Sequence, residues 1–318
     1  MPISLEYPDR EKWLAARKHH IGASDVAAIL GVNPYKSAYT LWAEKSGLLP
    51  ESDNSLPARV GMALEGLVTS LYEEETQVKT TNPGDFTFFV HEDYPFWTCT
   101  PDRLVFDDDV IKRAVELKTI GEQAARNLKD GEPPLAYQVQ LQSQLAVLGV
   151  DEGDLACLIG NRSFEIFPFR RHEKLISKIT SRVNEFFQRI IDRNPPSVDG
   201  SDSTYRTLAL LHPDDNGETI DLPPSLIEAA RNLENYKIIL KDIEAKEQAA
   251  KNQIIEALGD ATFCVGDGLK FSYKTQERSG ALKVSTEYRQ ALESAGIEFT
   301  ETKASKFRVL RSVKGQSK

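Results

Sequence analysis

Thr98–Lys118 reads TCTPDRLVFDDDVIKRAVELK, and the fold turns on how this stretch is paired. Two neighbouring strands of one sheet are expected. The first, Phe96–Phe106, carries Pro101-Asp102. The acidic run Asp107–Asp109 makes the turn, and the second strand, Val110–Lys118, ends Val115-Glu116-Leu117-Lys118. Side chains alternate along a strand, which puts Glu116 and Lys118 on one face and Val115 and Leu117 on the other. The turn leaves enough chain on each side to bring Asp102 beside Glu116. Two carboxylates and an ammonium then converge at one point of a sheet. Hard divalent ions such as Mg²⁺ take one or two carboxylates together with waters and phosphate oxygens. A lysine beside such an ion can orient a water and stabilise charge developing on phosphorus. That is the minimum equipment for metal-assisted phosphodiester hydrolysis. Glu-x-Lys on a strand is more often a solvated outer face, so the weight falls on the rest of the chain.

The 318 residues are 40% hydrophobic and 27% charged, which suits a globular protein rather than a disordered one. No apolar run approaches ~20 residues, so no membrane span is expected. The opening MPISLEYPDREKW has no apolar h-region, and a cytoplasmic location is expected. Cys99, Cys157 and Cys264 are odd in number and far apart, against a disulfide framework and against a zinc or iron–sulfur site. The five histidines show no H-x₃-H spacing. A net charge of −9 argues against a general coating of nucleic acid but leaves room for a local basic channel.

Along the chain, Asp9–Lys18 reads as a helix with Trp13 and Leu14 on its apolar side. Ser24 is placed to N-cap the short run Val26–Leu30, which Gly31 ends. Ser37 caps a helix through Trp42, and Glu51–Pro57 is a polar loop. Arg59–Glu75 is an amphipathic helix with Glu65 in its middle. Phe86–Val90 is a strand, and Glu122–Lys129 a short helix. Leu135–Leu148 is a strong helix whose core face is Leu141, Leu145 and Leu148. Tyr137, Gln140 and Gln144 recur on another face. Asp154–Ile159 and Ser163–Phe169 pair across Gly160-Asn161, and His172–Asp192 is a further helix. The composition of Asn194–Ser201 marks a domain boundary. The expected division is a domain over 1–195, a linker over 196–223 and an accessory region over 224–318. Pro224–Leu258 is a long helix, ~50 Å if unbroken. Leu226, Leu233, Leu240 and Ile254 repeat at heptad spacing, with Ala229, Tyr236, Ile243 and Ala250 three residues later and Glu247 interrupting. Packing of this seam on its own domain is preferred to a free coiled coil. Strands at Leu269–Lys274 and Phe307–Arg311 and a helix at Thr286–Ser294 follow. From Thr302 onward there are six basic residues and no acidic ones, a tail suited to nucleic acid or simply solvated.

Outside the Asp102–Lys118 pair of strands, Arg17-Lys18-His19-His20 before the turn at Ser24 makes a small anion site. Glu65 adds a carboxylate just upstream of the sheet. Gln140 can hydrogen-bond a phosphate or an attacking water. Each has a plain alternative: surface charge with capping for Arg17 and Ser24, an exposed helix acid for Glu65, and a polar helix face for Gln140.

WLAARKHHIGASDVAAILG is similar to the opening motif of YqaJ-type viral recombinases, relatives of the phage lambda exonuclease. The order Arg-x₆-Ser, a helical Glu, Pro-Asp, Glu-x-Lys and Tyr-x₂-Gln-x-Gln also resembles that family, and all five occur within Arg17–Gln142. The resemblance implies the PD-(D/E)XK restriction-endonuclease-like core, an α/β (α+β) fold with a mixed central sheet flanked by helices, here with a C-terminal extension. It implies Mg²⁺-dependent 5′→3′ hydrolysis of double-stranded DNA in phage or prophage recombination, with Mn²⁺ as a substitute ion. The expected products are 5′-mononucleotides and a 3′ overhang. It implies a homotrimer and a single-strand annealing partner in a bacterial host cell. By residue, it makes Asp102, Glu116 and the Leu117 carbonyl ion ligands, with Glu65 an accessory acid at the ion. Lys118 is the catalytic lysine and Gln140 the helix glutamine. Arg17 and Ser24, with Tyr137, hold the 5′-phosphate. Family members often carry Ser-Pro-Asp-Gly where this chain has Thr100-Pro101-Asp102-Arg103, and Arg103 is expected to point away from the ion. The rival readings are an endonuclease of the same fold and a non-catalytic DNA-binding or assembly protein.

Overall fold

The computed structural model describes residues 2–50, 56–121, 125, 131–160, 162–278, 286–295 and 305–312. Asp108 and Asp109 both take positive φ, 47° and 64°, the backbone of a two-residue hairpin turn that short polar side chains tolerate. The acidic run therefore makes the expected hairpin, with Asp107 paired to Val110.

The elements in chain order begin with β1 (Ile3–Glu6), α1 (Arg10–Arg17), β2 (Ile21–Gly22), α2 (Val26–Ile29), α3 (Ala38–Lys45) and α4 (Leu56–Thr76). Next come β3 (Thr87–Val90), β4 (Trp97–Cys99), β5 (Arg103–Asp107), β6 (Val110–Ile120) and α5 (Leu135–Leu148). The first unit closes with β7 (Glu152–Ile159), β8 (Ser163–Arg170), α6 (Glu173–Ile191) and α7 (Asp202–Leu211). All of the expected helix Glu122–Lys129 except Ala125, and most of the expected loop Glu51–Pro57, lie outside the described residues, although Leu56 and Pro57 already belong to α4.

One strand is corrected. Phe96–Phe106 is not continuous: β4 joins a sheet ordered β1-β3-β4-β2, while β5 joins a second sheet ordered β5-β6-β7-β8. Pro101 is the physical cause, since it has no N–H for a ladder and favours strand ends. The second sheet is mixed: β6 runs antiparallel to β5 and parallel to β7.

Alternation along β6 sorts the two faces as expected. Val115 and Leu117 pack with Val68 and Tyr72 of α4. Glu116 and Lys118 face α5, whose Leu141 and Leu145 are fully buried. Helix α5 sits unusually close to β7, because a Cβ on Gly153 would come within 2.9 Å of Leu141 and 3.1 Å of the Ala114 carbonyl. That close approach brings polar side chains of α5 within reach of β6.

The expected linker is also corrected. The first compact unit runs to Asn216, and 202–211 is a helix docked on α3 by hydroxyl contacts. Thr40 Oγ1 lies 2.8 Å from both Ser203 and Thr207, and Thr204 donates to Ser37 Oγ at 2.8 Å. Composition marked the polar stretch but not the partner it folds against.

The second unit, Gly217–Lys318, holds α8 (Ile227–Leu258), β9 (Phe263–Gly266), β10 (Leu269–Arg278), α9 (Thr286–Ser294) and β11 (Ser305–Ser312). Its strands form an antiparallel sheet ordered β11-β10-β9. The preference for a seam packed on its own domain is overturned: Leu226, Leu233, Tyr236, Leu240 and Ile243 are all exposed. Of the basic tail residues, Arg308 is structural, donating to the carbonyls of Gly259, Ala261 and Tyr273.

Candidate active site

Arg103 of β5 pairs with Val115 of β6, so Pro101 stands opposite Leu117 with no N–H to offer. The Leu117 N–H turns instead to the Asp102 carboxylate at 2.7 Å. N–H and C=O of one strand residue point to the same edge, so the Leu117 carbonyl also faces the Asp102 side. The backbone break at Pro101 thus gathers a carboxylate and a carbonyl at one strand edge.

Glu116 is almost fully buried and ringed by donors. Lys118 Nζ and Gln140 Nε2 bond its Oε1, the latter at 2.5 Å, and Gln144 Nε2 bonds its Oε2 at 2.5 Å. Gln144 has no solvent exposure, and its own Oε1 has no hydrogen-bond partner among the described residues. Sequence spacing alone assigns Gln144 no role, although the repeat Tyr137, Gln140, Gln144 on one helix face is its signal.

Burial and the neighbouring Glu116 charge raise the Asp102 pKa well above the usual carboxylate value, despite Lys118 and the Leu117 N–H. Burial disfavours the Lys118 ammonium, but Glu116 and Asp102 outweigh it and raise its pKa. Asp102 is therefore disfavoured as an anion beside Glu116 unless further positive charge is supplied. Lys118 also lies 5.2 Å from the centre of the Tyr137 ring. That places Tyr137 beside the lysine, and it is not among the residues lining the wall that bears Arg17 and Ser24.

Glu65 belongs to α4, on the opposite face of the sheet from the Glu116 side chain. It shares the cleft, and its pKa is raised by burial, with Glu116 and Asp85 adding to the rise and Arg103 opposing it. Among the described residues no three His, Cys, Asp or Glu side chains lie close enough to hold a metal ion together. The acids that converge are two, Asp102 and Glu116. Arg103 turns to α4, donating to Thr69 Oγ1 at 3.0 Å.

A cleft of about 570 Å³ joins these groups to α1. Arg10, Trp13 and Arg17 line it from one helix face, together with Ser24, Asp102 and Gln140. The Arg17 guanidinium sits 5.2 Å over the Trp13 ring. Ser24 is not the N-cap expected: it lies within a 3₁₀ turn, Ala23–Asp25, and Asp25 Oδ2 accepts the Gly22 N–H at 2.9 Å. The exposed Ser24 hydroxyl is thus not spent on capping. Buried Lys45 bridges the two halves of this wall, 3.2 Å from Asp25 Oδ2 and donating to the Arg17 carbonyl at 3.1 Å.

The donor set is oxygen only: Asp102, Glu116 and the Leu117 carbonyl. Burial, with Glu116 nearby, holds the Cys99 thiol well above its ordinary pKa, so no soft thiolate competes. Two carboxylates short of positive charge fit a hard ion such as Mg²⁺ or Mn²⁺.

Mixed sheet, covering helices and a Pro-Asp, Glu-x-Lys edge define a protein of the PD-(D/E)XK-like fold class. An alkaline exonuclease from Laribacter hongkongensis has this architecture, with a TM-score of 0.50 at 23% identity over 64% of this chain and 100% of that one. Residues 12–151 match the model of the YqaJ-like viral recombinase domain. The uncharacterized protein YqaJ of Bacillus subtilis (strain 168) is 29% identical over 259 residues, 80% of either chain. A protein of African swine fever virus (isolate Tick/Malawi/Lil 20-1/1983) is 32% identical over 159 residues, 42% of this chain and 44% of its own length. Among the described residues no helix is long and apolar enough to cross a membrane.

Proposed function

We propose that this chain is a metal-dependent nuclease that digests double-stranded DNA from 5′ ends during recombination, releasing 5′-mononucleotides and leaving a 3′ strand for an annealing protein. The observation that carries this reading is the buried Glu116, held by Lys118 and Gln140 beside Asp102, with Asp102 and Gln140 lining a cleft that also reaches Arg17 and Ser24.

Asp102, Glu116 and the Leu117 carbonyl would hold the ion, Mg²⁺ or Mn²⁺. When bound, such an ion polarises the phosphoryl oxygens and lowers the pKa of a bound water. The chain's own groups do the rest. Lys118, kept charged by Glu116 and Asp102, orients the attacking water and answers charge growing on phosphorus. Gln140 can leave Glu116 and hydrogen-bond the same water or a phosphate oxygen. The Arg17 fork and the exposed Ser24 hydroxyl take the terminal 5′-phosphate, which sets the distance from strand end to scissile bond.

The test is digestion of end-labelled linear and circular duplex DNA with and without Mg²⁺, alongside Asp102→Asn. Metal-dependent loss of 5′ label from linear DNA only is expected, with Asp102→Asn inactive but still binding DNA. Nicking of circles would replace the exonuclease reading by an endonuclease one. Full activity in Asp102→Asn would remove the site.

A further inference from the structure

Helix α8 and the turn leading into it carry an exposed heptad face. Leu226, Leu233, Tyr236, Ile239, Leu240 and Ile243 are each 49–59% exposed, and all but Ile239 lie on one a/d seam, which Ile239 flanks. We infer that this face pairs with the same face of a second copy of the chain, as an antiparallel two-stranded coiled coil centred beside Ile238.

Self-pairing follows from the spacing. With the helices antiparallel and the two-fold axis beside Ile238, the a and d layers meet in a closed, repeating set. Leu233 faces the second copy's Ile243, and Tyr236 faces the second copy's Leu240. Leu226 faces the second copy's Ala250, and Ala229 faces the second copy's Glu247. Glu247, the one charge on the seam, thus meets a methyl group and keeps its own Lys251 at 2.8 Å. Ile239 flanks the axis and meets its own counterpart.

A parallel pair is worse on charge. It sets Glu247 against Glu247 in one layer and Lys246 against Lys251 at the flank, both like-charge contacts. The antiparallel pair has one such contact, Lys237 with Lys237, at the rim, where each is already held by Glu234 at 2.8 Å. The area is also adequate. Six half-exposed large apolar side chains per copy offer on the order of 600 Å², or about 1,200 Å² for two, the lower limit of stable interfaces.

The experiment uses the full chain. Light scattering at micromolar concentration should give an assembly of an even number of copies, and Leu233→Glu with Leu240→Glu should halve its mass at the same concentration. Cross-linking fixes the direction. In a Cys264→Ser background, where Cys99 and Cys157 are buried, Ile239→Cys should form a disulfide-linked dimer on oxidation and Leu226→Cys should not. A parallel pair reverses this, and the two cysteine variants decide the matter even if the glutamate variant fails to fold. A monomeric native chain, a mass left unchanged by the two glutamates, or cross-linking only through Leu226→Cys would each overturn the inference.

Discussion

Replacing Asp25 by asparagine should destabilise the first unit and loosen the wall of the cleft together. Asp25 and Lys45 form a buried ion pair, 3.2 Å apart, with side chains only 10% and 2% exposed. Removing one partner of such a pair costs about 3–5 kcal/mol, because the other charge stays buried. Asparagine can still accept the Gly22 N–H, so the lower figure, about 3 kcal/mol, is expected. For a unit of this size each kcal/mol moves Tm by about 2–4 °C, giving a fall of roughly 6–12 °C. Calorimetry measures the fall, and adding Lys45→Met should recover at least half of it, since no buried charge is then left over. The pH dependence has a definite sign. Burial works against the Asp25 carboxylate, but Lys45, Arg17 and the Gly22 N–H together hold its pKa below the ordinary 3.8. Its contribution is therefore complete above that value and is lost as pH falls through the depressed folded one. The gap between wild type and Asp25→Asn should close only on that acid limb. Because Lys45 also holds the Arg17 carbonyl, the variant should lose part of its preference for 5′-phosphorylated ends. An Asp25→Asn protein within about 1 kcal/mol of wild type, or a strictly additive cycle with Lys45→Met, would refute the reasoning.

Arg17→Ala should slow digestion of 5′-phosphorylated ends by about tenfold or more, about 1.4 kcal/mol, and affect unphosphorylated ends much less; equal rate ratios in the two proteins would remove Arg17 from end recognition. Gln144→Leu should weaken Mn²⁺ binding, read by titration calorimetry without DNA, by about 10–100-fold, since ligand-orienting neighbours commonly carry that much affinity; unchanged affinity would reduce Gln144 to packing. A chain ending at Asn216 should be soluble and active on short DNA, whereas one ending at Pro195 should lose thermal stability or aggregate, because it lacks the α7 hydroxyl contacts to α3; equal stability of the two would show that α7 is dispensable.

Much of the site was legible from sequence because its determinants are local. Strand alternation alone put Glu116 and Lys118 on one face and Val115 and Leu117 on the other. Paired aspartates that tolerate positive φ made Asp107–Asp109 a turn. Helical spacing put Leu141 and Leu145 on the core face of α5, and the order of motifs carried the family resemblance. Other features depended on which elements meet in space. Pro101 visibly lacks a donor, but only the pairing of β4 and β5 with different neighbours shows that it divides two sheets. Gln144 was one polar residue of a helix face until Gly153 let α5 approach β7 closely enough for its amide to reach Glu116. Ser24 looked like a cap, but it lies in a 3₁₀ turn whose Asp25 folds back onto the upstream Gly22 N–H, with Lys45, twenty residues on, as the countercharge. The polar stretch after Asn194 looked like a linker, and α3 gave its hydroxyls partners. The heptads of α8 were plain in the chain, while their exposure was not, since periodicity defines a face and only tertiary packing decides what covers it.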